Sequence, residues 1–172
     1  TTNTKVVTDK DGNALLKTYN VEGNTEIVSN NVIEAINNMN EQGIKFFHSN
    51  DGVKRTPKAE DTNDFDSSAT GKYATAIGAK TKVNGDQSSG LGVGNTINAN
   101  DSVAVGNTNT INKQKSGAYG SSNIINGENS YAVGNGNTVD SANTVVVGNN
   151  VKSTADNSVI LGNNSGYSKG SN

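Results

Sequence analysis

From residue 68 onward the chain repeats itself, and this repeat limits what it can fold into more than any other feature. The unit is typically a polar residue, three small or apolar residues, then glycine. It reads Ala74-Thr75-Ala76-Ile77-Gly78, Gly90-Leu91-Gly92-Val93-Gly94 and Ser102-Val103-Ala104-Val105-Gly106. It continues as Ser116-Gly117-Ala118-Tyr119-Gly120, Ser130-Tyr131-Ala132-Val133-Gly134, Thr144-Val145-Val146-Val147-Gly148 and Ser158-Val159-Ile160-Leu161-Gly162. The closing glycines are 16, 12, 14, 14, 14 and 14 residues apart, and the first two departures cancel. Between them stand Val83, Ile97, Ile111, Ile125, Val139 and Val151, each three or five residues after a repeat glycine. The odd offset keeps all six on one face of a strand.

Each repeat therefore predicts two short strands and two polar turns, rich in Asn and Gly that tolerate positive φ. Fourteen residues are too few for a βαβ unit. They fit a narrow parallel β-roll, or solenoid, with coils stacked about 4.8 Å apart; seven coils give a rod of roughly 30 Å.

The side-chain pattern also speaks to assembly. In the first strand the positions one and three before Gly are mostly apolar, as in Val103 and Val105 or Val145 and Val147. The position between them is small or apolar too, as in Ala104, Ala118 and Ala132. Both faces avoid water, as in a strand buried on both sides. One face fills the roll. A narrow roll has nothing of its own to cover the second, and small residues there would let another chain approach closely. An obligate oligomer wound around the first-strand face is expected. Its core residues, for roll and assembly together, are Ile77, Val93, Val103, Ala104, Val105, Ala132, Val133, Val145, Val147, Val159 and Leu161. The second strand carries Asn and Thr outward, as in Thr108-Asn109-Thr110, and supplies the solvent face. Its candidate ligand-binding residues are Thr96, Asn98, Thr108, Thr110, Asn123 and Asn137.

Composition alone points toward disorder. Only 31% of the residues are hydrophobic, and nearly half of the 172 are Asn, Gly, Ser or Thr. The single Pro, the net charge of −2 and the placement of the apolar residues point the other way. A classical α/β enzyme core needs a larger apolar share. Zero Cys excludes disulfide frameworks, Cys-zinc sites and thiol catalysis. No apolar run reaches the ~20 residues of a membrane span. The chain begins without Met and reads as a piece of something longer.

Residues 1–56 carry no repeat and read as a small α+β module. Lys5-Val6-Val7-Thr8 and Ala14-Leu15-Leu16-Lys17 flank a turn at residues 9–13, which predicts a hairpin. A helix over about 31–42 follows, with Asn31 and Glu34 as a capping box and Val32, Ile33, Ile36 and Met39 as its apolar stripe. Gly43 ends it, and residues 44–48 read as a strand. Residues 57–67 read as a linker, 68–167 as the roll and 168–172 as a flexible tail.

The unit Asn-Ser-Val-Ala-Ile-Gly at 14-residue spacing resembles the YadA-like heads of trimeric autotransporter adhesins. It stands here as Asp101-Ser102-Val103-Ala104-Val105-Gly106, Asn129-Ser130-Tyr131-Ala132-Val133-Gly134 and Asn157-Ser158-Val159-Ile160-Leu161-Gly162. The first module resembles the connectors that precede such heads, through Lys45-Phe46-Phe47-His48-Ser49-Asn50 and Asp66-Ser67-Ser68-Ala69-Thr70-Gly71. The resemblance implies a left-handed roll, three chains around one axis, and a Gram-negative cell surface with the outer-membrane anchor outside this chain. It implies adhesion to host matrix proteins (collagen, fibronectin, laminin) or to receptors such as the CEACAM proteins. The alternative is a structural spacer or autoaggregation segment with no ligand of its own.

Other motifs dissolve on inspection, and no enzyme, cofactor or metal site is expected. Gly166-Tyr167-Ser168-Lys169-Gly170 spells a nucleophile elbow, but lacks a following helix, and the sole His48 lies far away in sequence. Gly90, Gly92 and Gly94 imitate half a dinucleotide fingerprint, and the repeat explains them. Asp9-Lys10-Asp11-Gly12 resembles a calcium loop with its glycine misplaced. Glu60, Asp61, Asp64 and Asp66 read as a solvated linker. Residues 68–172 hold seven Lys against five acids, and residues 1–67 seven basic against eleven acidic residues. Neither half is a nucleic-acid footprint. An ice-binding Thr ladder is also unsupported, since only Thr108-Asn109-Thr110 has the required pattern.

Overall fold

The computed structural model describes residues 7–23, 26–50, 52 and 65–166. The chain divides into two compact units, Thr1–Thr62 and Asn63–Asn172.

In the first unit β1 (Leu16–Tyr19) pairs antiparallel with β2 (Glu26–Ser29), Leu16 opposite Ser29. Among the described residues the expected hairpin is seen at the Thr8–Ala14 bridge, Lys5 and Val6 lying outside them; the longer pairing is one step further along the chain. The calcium-like loop is a turn held by its own first residue. Asp9 accepts from the backbone N–H of Asp11 and Asn13, and Asn13 Nδ2 adds a third bond. These bonds, that of the Asn13 side chain first, hold the Asp9 carboxyl below its ordinary value.

Helix α1 (Val32–Gln42) starts at Asn31, whose Oδ1 accepts from Ile33 N–H at 2.8 Å. The capping box closes on one side only, Asn31 Oδ1 accepting from Glu34 N–H at 3.4 Å. Ser29 Oγ stands between its two ends, accepting from Asn31 N–H and donating to Glu34. Gly43 ends the helix at φ 86°, donating back to Met39. Residues 44–48 are not a strand, contrary to expectation. Ile44 and Phe47 exchange both backbone hydrogen bonds and close a tight turn on Lys45 and Phe46. The helix stripe of Val32, Ile33, Ile36 and Met39 is exposed within this chain, and only Ala35 of the helix is buried.

The second unit is a parallel β-solenoid. Its long strands are Thr75–Ile77, Ser89–Val93, Val103–Asn107, Gly117–Ser121, Tyr131–Asn135, Val145–Asn149 and Val159–Leu161. Its short strands are Ser68–Ala69, Lys82–Val83, Thr96–Ile97, Thr110–Ile111, Ile124–Ile125, Thr138–Val139 and Lys152–Ser153. Each set forms a seven-stranded parallel sheet in chain order.

Register corrects one reading of the repeat. Ile77 pairs with Leu91, and Gly92 pairs with Gly106. The frame is thus Gly78, Gly92, Gly106, Gly120, Gly134, Gly148 and Gly162, an unbroken 14-residue spacing. Gly94 belongs to a different column, and the uneven spacing came from choosing it. The glycine column is required twice over. Each member has positive φ, 127° at Gly106, and at every one but Gly162 a Cβ would collide with the carbonyl of the next glycine.

Between the sheets, Gly90, Ala104, Ala118, Ala132 and Val146 face Val83, Ile97, Ile111, Ile125 and Val139. Small residues on the long strands make room for branched ones on the short strands. In the last full coil the sizes trade over: Val146 is large, and Ser153 follows Val139 in the opposite column. Two polar columns close the interior. Ser102, Ser116, Ser130 and Thr144 each donate a backbone N–H to the hydroxyl of the preceding coil, at 3.0–3.3 Å. Thr81, Asn95, Asn109, Asn123, Asn137 and Val151 form the other. No buried side-chain N or O among the described residues lacks a partner.

Candidate assembly and binding faces

Alternation along each strand dictates what the solenoid turns outward. On the long strands the small residues point in, so their neighbours point out. One outer column runs Thr75, Ser89, Val103, Gly117, Tyr131, Val145, Val159. The other runs Ile77, Leu91, Val105, Tyr119, Val133, Val147, Leu161. Most of these side chains are apolar yet stay half-exposed or exposed within one chain: Val133 is 44% exposed and Val147 42%. Val159 and Leu161, on the last strand of the sheet, reach 71% and 69%. Gly117 interrupts the first column because the ring of Tyr131 lies where its side chain would be.

This separates the expected core residues into two groups. Ala104 and Ala132 are fully buried and belong to the roll alone. Ile77, Val103, Val105, Val133, Val145, Val147, Val159 and Leu161 line the outer face. The small residues therefore do not supply the outer surface, as the sequence suggested; the larger ones do. Val93 fits neither group. It stands opposite Asn107, beyond the glycine, and is 45% exposed. Its placement in the core followed from the misplaced Gly94.

The short-strand sheet presents a different face. Its outer column is Lys82, Thr96, Thr110, Ile124, Thr138, Lys152. Beside it Asn84, Asn98, Asn112 and Asn126 each donate a side-chain N–H to the next coil, ending on Asp140, at 2.7–3.0 Å. Thr108 is exposed at a corner with φ 52°, its hydroxyl 3.1 Å from that of Ser122. Of the candidate binding residues, Thr96, Asn98, Thr108 and Thr110 lie on this outer side. The Thr column is broken by Ile124, so register supplies no continuous Thr ladder.

Asn123 and Asn137 are corrected: both are fully buried. Asn123 Nδ2 donates to Asn109 Oδ1 at 2.9 Å and to the Gly134 carbonyl at 2.7 Å. Asn137 repeats the pattern toward Asn123 Oδ1 and the Gly148 carbonyl. Each Oδ1 also accepts the backbone N–H of the next coil, 3.1 Å from Asn137 to Asn123. These side chains bridge the glycine turn of one coil to the stack of its neighbours. The signal was available in the sequence. Each Asn stands two residues before an inward Ile or Val, and residues two apart share a face.

Among the described residues no group of three or more His, Cys, Asp or Glu could hold a metal ion. His48 Nδ1 hydrogen-bonds the Gln42 carbonyl. Gly166 pairs with Lys152 as the next turn of the stack, while Tyr167 to Gly170, and the 168–172 tail, lie outside the described residues. So do Glu60, Asp61 and Asp64. No described helix is long and apolar enough to cross a membrane.

Residues 69–95 and 126–150 match, in two copies, the family model for the YadA head domain repeat. Comparison with curated proteins gives no match. The matched stretches are coils of the solenoid, and their repeat is the one that register places in strict 14-residue frame.

Proposed function

We infer, from the premise that the solenoid is a YadA-like head built of such repeats, that this chain is the adhesive part of a trimeric autotransporter adhesin. The carrying observation is the outer face of the long strands. A row of Val, Leu, Ile and Tyr side chains left uncovered along the whole sheet marks an interaction surface. Three copies set around one axis would cover it with copies of itself. Closed cyclic assembly is how identical chains cover such a face without leaving an open edge. The rod then stands on a Gram-negative cell surface.

The short-strand face, with Thr96, Asn98, Thr108 and Thr110, is left for a host ligand: a matrix protein such as collagen, fibronectin or laminin, or a receptor of the CEACAM kind. Three copies of a weak contact per rod, and many rods per cell, raise avidity without a strong single site. Solution mass and solid-phase binding test the two halves separately. Mass near three times 17.7 kDa supports the assembly, and a stable monomer overturns it. Binding to one member of a matrix and receptor panel supports adhesion, and no binding to any overturns it.

A second reading has its own observation. The exposed Asn amides are already paired with each other from coil to coil, which suits a spacer that needs no ligand. That reading expects removal of whole coils to shorten reach and leave adhesion intact.

A further inference from the structure

The outer side of the short strands is not uniform along the rod. Beside the first coils a groove of about 580 Å³ is lined by Phe65, Lys80, Lys82, Gly94, Thr96 and Thr108. Its shape comes from one glycine. Lys80, Gly94 and Thr108 stand in one corner column, at φ 59°, 66° and 52°, and the absent side chain at Gly94 leaves a floor between two that project. Lys82 and Thr96 are register partners in the next column. Phe65 and Lys80 are joined twice: Lys80 N–H donates to the Phe65 carbonyl at 2.9 Å, and its ammonium lies 4.3 Å from the ring centre.

The chemistry of the lining is one-sided. Two lysines and two threonines line the groove, with an aromatic wall and no carboxylate among the described lining residues; Thr108 turns its methyl toward Gly94 and its hydroxyl toward Ser122. Lysines bind anions as point charges without demanding planar geometry, and hydroxyls can both donate to and accept from a polyol. We propose that this groove binds an acidic saccharide. Its carboxylate or sulfate ester sits between Lys80 and Lys82, a hydroxyl meets Thr96, and an apolar edge of the sugar rests against Phe65 and the Thr108 methyl. The six described lining residues all belong to this chain. The test of the groove is separate from the mass measurement that tests the trimer.

The test is titration of the whole chain, by calorimetry and by amide chemical shifts, with three probes. These are a sulfated disaccharide, an unsulfated disaccharide containing a uronic acid, and lactose as the neutral control. Saturable binding of one or both acidic probes, with shifts at Lys82, Gly94 and Thr96 and none for lactose, is expected. Which acidic probe binds tells sulfate from carboxylate. Lys82→Gln should weaken binding about tenfold, the loss of one charge-assisted contact. Gly94→Asn should abolish it by filling the floor, while folding normally, because Asn150 already occupies the same column at φ 55°. Failure of both acidic probes to bind overturns the proposal. So does equal binding of lactose, of inorganic sulfate alone, or of the Lys82→Gln chain with an unchanged circular dichroism spectrum.

Discussion

The two sheets of the solenoid share an interior and a repeat length; they differ in strand length, in the size of their inward residues and, most of all, in what they turn outward. The long strands show Val, Leu and Tyr; the short strands show Thr, Lys and a ladder of Asn. Inside, the two contribute to one packing problem and one set of hydrogen-bonded columns. The backbone therefore does not decide which side meets another chain. The outer columns do, and they are free to differ because nothing inside depends on them. The inner columns have no such freedom, and perturbing them should destroy both faces alike.

Gly106→Ala is the severest way to break the comparison. The new Cβ would meet the Gly120 carbonyl, in a backbone conformation that L residues avoid. A cost of about 4 kcal/mol is expected, at the upper end for single substitutions, because clash and strain add. A fall in the thermal midpoint measures it. A loss below about 1 kcal/mol would show that the glycine column reflects sequence habit and no steric need.

Asn123→Ala comes next. It leaves the Gly134 carbonyl and the Asn137 N–H without their buried partners. Each orphaned group costs about 1–3 kcal/mol, so a loss of about 3 kcal/mol is expected from the pair. An unfolding curve as stable as that of the unaltered chain would mean that water enters the interior and takes over the contacts.

How much of this was legible beforehand depended on whether the evidence was local. The fourteen-residue period, the parallel roll and the two-sided apolar strand followed from Ser130 to Gly134 and its copies, because strand alternation is a local rule. Helix α1 followed from Asn31 and Gly43 for the same reason. Within the solenoid, what failed needed the neighbouring coil. Gly92 and Gly94 are both plausible repeat glycines in the sequence, and only pairing of Ile77 with Leu91 decides between them. Val93 was misplaced as a result. Asn123 and Asn137 were read as surface because amides are usually solvated, although their two-residue spacing from Ile125 and Val139 argued the reverse. A polar column becomes an interior element only when every coil supplies a partner for the next. The groove at Lys80 and Lys82 was invisible for another reason. It depends on a side chain missing from one column beside charges present in another.

The outer faces themselves are separated by a matched pair of charges. Val147→Asp and Thr110→Asp each place one carboxylate at an outward position of a coil in the middle or later part of the rod. If the long-strand face is covered by other chains, Val147→Asp buries an unpaired charge at their contact, and sedimentation should report monomer. Thr110→Asp should leave the mass unchanged. Breaking a buried contact with an unpaired charge costs about 3–5 kcal/mol, while a solvated carboxylate costs little. Identical masses for the two variants would remove the distinction between the faces.

The smallest expected effect belongs to Asn112→Ala. Its side chain sits in a ladder just as regular as the buried one, donating to Asn126 at 2.9 Å and accepting from Asn98. It differs from Asn123 in being solvated and in lacking the bonds to backbone groups. When Asn112 is truncated, water can replace it for both neighbours, so no group is stranded. The expected loss is under about 0.5 kcal/mol, as for surface substitutions generally. Measured beside Asn123→Ala, this variant contrasts an exposed amide bonded to its side-chain neighbours with a buried one that also bridges backbone groups of the next coil. A loss equal to that of Asn123→Ala would mean that the outer amide chain acts cooperatively and stiffens the rod from outside. In that case the polar face would be as structural as the core.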